Sequence, residues 1–108
     1  MTAAGSATLS VHALDSVFGR PAAGLGVTVI ASDVVLLETT TDEDGRAAIG
    51  VVPAGTATVR FETGPWFAAQ DRDTFYPRVE VSATIAADEH HHVALLLSPF
   101  AYSTYRGS

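Results

Sequence analysis

The chain is broken into short runs in which apolar and polar residues alternate, each closed by glycine, proline or aspartate. A period of two puts successive side chains on opposite faces of a strand, so each run buries one face and needs a second sheet to cover it. In Thr8 to Leu14, Leu9, Val11 and Ala13 share one face, and Ser10, His12 and Leu14 share the other. Val27 to Ala31 and Val34 to Thr40 read as a hairpin about Ser32-Asp33. Asp42-Glu43-Asp44-Gly45 is a strong turn, because glycine tolerates a left-handed backbone and aspartate bonds its own backbone. Ala47 to Val52, Thr56 to Thr63, Val79 to Ile85, His90 to Ser98 and Ala101 to Tyr105 are further strands. Gly64 to Gln70 is the helix candidate, with Pro65 at its first position. About eight evenly spaced strands and one short helix predict an all-β antiparallel sandwich. Residues 1–7 read as a flexible leading segment and 8–108 as one domain.

With 108 residues, 47% of them hydrophobic, the chain is long enough for one real core and too apolar to be wholly disordered. Its 12 acidic and 6 basic residues give a net charge of −6, which offers no general attraction to nucleic acid or to an anionic membrane. All the basic residues are arginine, so Schiff-base chemistry through lysine is excluded. The lack of cysteine removes disulfides, thiolate nucleophiles, zinc–thiolate sites and iron–sulfur clusters. No apolar run reaches the roughly 18 residues of a membrane span, and the N-terminus lacks a signal-peptide pattern. A soluble cytoplasmic protein is the expectation.

Parity along the histidine strand points to a site. Val93, Leu95 and Leu97 share the core face, whereas His90, His92, Ala94 and Leu96 share the other. His12 likewise lies opposite Leu9, Val11 and Ala13. An outward face carrying both histidine and apolar residues fits a groove or subunit interface, and equally an ordinary surface. His90 and His92 project the same way and offer two imidazoles to a metal, which would need a third ligand such as His12, Asp88 or Glu89. Acid–base work by a histidine is the alternative, and periodicity does not choose between them. Arg46, directly after the turn, is either a solvated charge or a planar clamp for an anionic or carbonyl-rich ligand. Arg106 carries the same ambiguity. Trp66-Phe67 reads as the apolar side of the helix, Phe75-Tyr76-Pro77 as loop-to-core packing, and Asp15 as a turn former.

Four blocks, in order along nearly the whole chain, carry a resemblance. They are Leu9-Ser10-Val11-His12-Ala13-Leu14-Asp15 with Gly19-Arg20-Pro21-Ala22; Thr41 to Arg46; Glu62-Thr63-Gly64 with Phe75-Tyr76-Pro77-Arg78-Val79; and Leu95 to Ser108, ending Tyr105-Arg106-Gly107-Ser108. These resemble the 5-hydroxyisourate hydrolases, the transthyretin-related enzymes of urate degradation. Ala94 and His91 stand where that family usually has proline and tyrosine.

The resemblance implies a transthyretin-like sandwich assembled as a homotetramer, a dimer of dimers, with sites in the channel between dimers. It implies His12, Arg46, His92 and Ser108 as the catalytic set, and Arg46, Tyr105, Arg106 and Ser108 as substrate-binding residues. The implied reaction is hydrolysis of 5-hydroxyisourate to 2-oxo-4-hydroxy-4-carboxy-5-ureidoimidazoline, a cyclic-amide opening that needs no cofactor. A histidine takes the proton of the attacking water, assigned here to His92 with help from His12, the reverse assignment remaining open. A non-catalytic transthyretin-like module that binds a small ligand is the alternative.

Overall fold

The computed structural model describes residues 5–108 as two face-to-face sheets with one short helix. The first four residues of the expected leading segment lie outside the described residues. The first sheet contains β1 (Ser6–Asp15), β2 (Arg20–Pro21), β5 (Arg46–Pro53), β8 (His90–Ser98) and β9 (Ala101–Gly107). The second runs β4 (Val34–Thr40), β3 (Gly26–Ala31), β6 (Gly55–Phe61), β7 (Val79–Ile85). The helix α1 (Thr63–Ala68) follows β6. Strand β1 therefore starts two residues before the alternation placed it, and Ala7 is already buried.

The alternation becomes the core. Leu9, Val11 and Ala13 of β1 and Val93, Leu95 and Leu97 of β8 face Val27, Val29, Ala57, Val59, Phe61, Val79 and Ile85 across the sandwich. Burying a large aliphatic or aromatic side chain contributes about 1.5–3 kcal/mol relative to leaving it exposed, so this shared inner face fixes which residues point outward. The β3–β4 hairpin turns at Ser32 and Asp33, both with positive φ, the mirror-image turn whose twist suits a two-residue connection.

Three expectations need correction. The pairing of β1 with β8 is parallel, not antiparallel. Parallel neighbours require a long crossover, and here the whole second sheet separates the two strands in sequence. The helix begins at Thr63, so Pro65 is its third residue, where its missing N–H still has no helical partner to lose. Phe75 is 71% exposed; Tyr76 alone of that pair packs against the core.

Asp15 closes β1 and does more than form a turn. Its Oδ1 accepts hydrogen bonds from the Val17 and Phe18 backbone N–H groups, and its Oδ2 from Arg72 Nη1 at 2.8 Å. The Arg72 guanidinium lies 4.6 Å from the Phe18 ring centre and 4.8 Å from that of Phe67. Burial would raise the Asp15 carboxyl, but Arg72 and the two N–H groups outweigh it and hold the carboxyl below its usual value. Arg72→Met strips a buried carboxylate of its partner, which costs about 3 kcal/mol or more. We expect thermal denaturation to record a melting temperature at least about 10 °C lower. Since the folded carboxyl is the stronger acid, the native protein should also lose stability as pH falls below about 3.9, and the variant should lose less over that range. An unchanged melting temperature contradicts the assignment.

Candidate active site

The outward face of the first sheet collects residues from four strands. In the β1–β5 pair, His12 stands opposite Arg46 and Ser10 opposite Ala48. Along the β1–β8 pair, Thr8 stands beside His90, Ser10 beside His92 and His12 beside Ala94. The β8–β9 pair sets His92 opposite Gly107 and Ala94 opposite Tyr105. Register skips Ile49 between Leu9 and Ser10, a bulge that brings Arg46 and Ala48 onto the same face as His12 and Ser10.

The turn before β5 aims Arg46. Asp42 Oδ1 accepts from the Asp44 and Arg46 N–H groups, each at 2.9 Å, as the Asp-Gly signal anticipated. Gly45 has φ +75° and lies against the Ala13 carbonyl, so a side chain there meets both backbone strain and a collision. The Arg46 guanidinium is uncommitted. Arg60, Arg72, Arg78 and Arg106 pair with Glu80, Asp15, Glu62 and Glu89, and Arg20 stacks over Phe18. Among the described residues Arg46 has no carboxylate partner.

Arg46, His90, His92 and Ser108 line one open cleft of about 340 Å3, together with Ser10, Asp42 and the short Ala47–Ala48 segment. His12 stands beside it, its ring centre 6.3 Å from that of His92. The two remaining candidates do not line this cleft. Tyr105 and Arg106 line a second cavity, of about 270 Å3, between β7 and β9, which His92 also borders. Arg106 has the opposite parity to Gly107, and its Nη2 bonds Glu89 Oε1 at 3.2 Å. The structure thus brings Arg46, His92 and Ser108 together, with His12 adjacent, and does not bring Arg106 into this cleft.

Burial lowers the His92 imidazole below its ordinary value, and the neighbouring His12, Arg46 and His90 push the same way. Each favours a neutral ring, the form that accepts a proton. His92 Nδ1 lies 2.7 Å from Ser10 Oγ. Both nitrogens of His90 are engaged, Nδ1 by Thr8 Oγ1 at 2.7 Å and Nε2 by Ser10 Oγ at 2.9 Å. Among the described residues no three His, Asp or Glu side chains are arranged to hold a metal ion. Sequence reasoning missed Ser10 and Gly107. A Cβ at Gly107 would collide with the His92 ring, so the glycine of the terminal block is what leaves room for the imidazole beside β9. Ser10 carried a signal, since its parity equals that of His12.

Comparison with known proteins bears on this arrangement. The HIUase/Transthyretin family matches residues 9–107. The chain belongs to that family. It is 42% identical to the 5-hydroxyisourate hydrolase of Salmonella typhi, over 98% of this chain and 85% of that protein. The solved structure of Klebsiella pneumoniae 5-hydroxyisourate hydrolase superposes with a TM-score of 0.87 at 36% identity, covering 94% of each chain. Sea bream transthyretin in complex with thyroxine gives 0.84 at 30% identity, covering 92% of this chain and 93% of that one. Within the HIUase/Transthyretin family, the sandwich alone therefore does not separate a hydrolase from a thyroxine-bound protein, and the cleft must carry the distinction.

The electrostatics can be measured without substrate. By NMR, His92 should titrate below the reference of about 6.5. Arg46→Gln removes one repelling positive charge, so the midpoint should rise towards that reference. A midpoint that stays put or falls in the variant contradicts this picture.

Proposed function

We propose that this protein is a 5-hydroxyisourate hydrolase. One observation carries the reading: a half-buried imidazole biased towards its neutral form shares a cleft with an uncommitted guanidinium and the terminal serine. The similarity to hydrolases from Salmonella typhi and Klebsiella pneumoniae supports it over a passive binding module.

The reaction opens the six-membered ring at an amide-type bond. Water must lose a proton as it attacks, negative charge grows on the carbonyl oxygen, and the departing ring nitrogen must be protonated. His92 accepts the water's proton. Arg46 spans the urea-like edge of the planar substrate and stabilises the oxyanion with a fixed positive charge. Ser108, through its hydroxyl, orients the water or the substrate. His12, beside the cleft, assists His92. Tyr105 and Arg106 reach substrate in this reading only if a neighbouring subunit completes the site.

A tetramer built as a dimer of dimers supplies such a neighbour. Strand β9 ends its sheet with one edge unpaired, and unpaired edges invite strand addition. Val17, Phe18 and Tyr105 are exposed apolar side chains that association would cover. Light scattering on the purified protein should give four times the chain mass. No helix among the described residues is long and apolar enough to cross a membrane, and action in the cytoplasm is part of the proposal.

The test generates 5-hydroxyisourate from urate with uricase and follows its ultraviolet decay. His92→Ala should lower kcat/KM about 10²- to 10⁴-fold, the usual effect of losing a positioned acid–base group. Near-native turnover in that variant removes His92 from the chemistry.

A further inference from the structure

Ser10 and His90 are absorbed by neither the catalytic set nor the core, yet both hydrogen-bond their neighbours on the outward face. Three short contacts run in series: His92 Nδ1 to Ser10 Oγ at 2.7 Å, Ser10 Oγ to His90 Nε2 at 2.9 Å, and His90 Nδ1 to Thr8 Oγ1 at 2.7 Å. The parallel β1–β8 register builds the chain, because it sets Thr8 beside His90 and Ser10 beside His92 on one face. His92 is half-buried in the cleft, and His90 and Thr8 are exposed. The chain therefore leads from the site to water.

We propose that Ser10 and His90 are positioning residues for His92 that fix its tautomer and carry the reaction's proton to solvent. The inference rests on the hydrolase reading. A hydroxyl has one proton to donate and accepts the rest of its bonds. If Ser10 donates to His90 Nε2, it accepts from His92 Nδ1–H, which leaves the Nε2 lone pair of His92 free for the water. His90 then donates its Nδ1–H to Thr8. Every bond in the series has a donor and an acceptor, and His92 starts as the required base.

The net chemistry calls for an exit. Water adds across the ring amide to give a carboxylic acid and a ureido N–H. The acid ionises near neutral pH, its reference pKa being about 4, while the ureido nitrogen is not basic, so each turnover releases one proton. His92 Nε2 first passes the water's proton to the departing ring nitrogen. When it then takes the proton of the new carboxylic acid and is again an imidazolium, its Nδ1 proton moves to Ser10 Oγ as the Ser10 proton moves to His90 Nε2. His92 is then neutral with its remaining proton on Nε2, and His90 holds the positive charge and yields a proton to solvent. Loss of the Nε2 proton into the open cleft, as the chain takes a proton back from solvent and returns one to Nδ1, restores the starting tautomer. No bond other than these O–H and N–H bonds changes. The charged or titratable groups around His92 are His12 on β1, Asp42 and Arg46 at the β5 turn, His90 and His91 on β8, and Tyr105 and Arg106 on β9.

The full-length protein tests this with Ser10→Ala, Ser10→Thr and His90→Gln. In dilute buffer, Ser10→Ala and His90→Gln should each lose about 10- to 100-fold in kcat with little change in KM, by analogy with the loss when the partner orienting a metal-bound histidine is removed. Ser10→Thr retains the hydroxyl and should restore kcat. Added imidazole, a mobile proton acceptor, should rescue His90→Gln. Nitrogen NMR of His92 supplies a readout independent of turnover: the native neutral ring should be protonated at Nδ1, and Ser10→Ala should lose that preference. Native kcat in both variants, losses confined to KM, losses that neither threonine nor imidazole repairs, or a native ring protonated at Nε2 would each overturn the relay. If the native protein fails to accelerate 5-hydroxyisourate decay, the hydrolase reading falls, and the NMR measurement still decides whether Ser10 sets the tautomer.

Discussion

The parallel pairing of β1 with β8 is the constraint on which the site depends. Its inner face places Leu9, Val11 and Ala13 beside His91, Val93 and Leu95, and the demand to bury that apolar row fixes the register. A slip of one residue would turn every side chain of the strand over. His12, Ser10, His90 and His92 face outward because their neighbours are needed inside. The placement of the cleft residues is thus a by-product of core packing, and the salt-bridged Asp15 at the end of β1 holds that strand at its far end.

Two further elements complete the cleft by steric means. The Asp42 turn delivers Arg46 without using its guanidinium in any structural bond among the described residues, so its charge stays available. At the other side, Gly107 yields space to the His92 ring. The site combines an uncommitted cation with a ring biased against being one. Placing like charges near an imidazole keeps it neutral and basic in form, and in the proposed reaction the arginine supplies the field that a developing oxyanion needs.

Much of this was legible in the sequence, for identifiable reasons. Strict alternation around Val93, Leu95 and Leu97 fixed the facing of His92, and the same logic fixed His12. The Asp-Gly turn announced itself through residues whose backbone preferences are strong. The parallel β1–β8 pair was not legible, because periodicity reports which face is buried and is silent on strand direction. Arg106 shows another limit. A motif groups it with Ser108 and the two share parity, yet Arg106 takes the Val93 side of β9, where Glu89 holds it, while Ser108 lies past the end of the strand and lines the cleft. The role of Gly107 emerged only once β9 lay beside His92, since a missing side chain matters when something occupies its place. Phe75 reads from the sequence as loop-to-core packing, yet it is exposed, with only its backbone N–H tied down, to the Pro99 carbonyl.

The most direct test of the account is a progress curve with the protein at a small fraction of the substrate concentration. A hydrolase using this cleft clears many equivalents of 5-hydroxyisourate per site, far faster than the spontaneous decay in buffer. A binding module removes at most one equivalent per site and leaves the remainder to decay at the uncatalysed rate. The first outcome is the one this structure predicts; the second would contradict it.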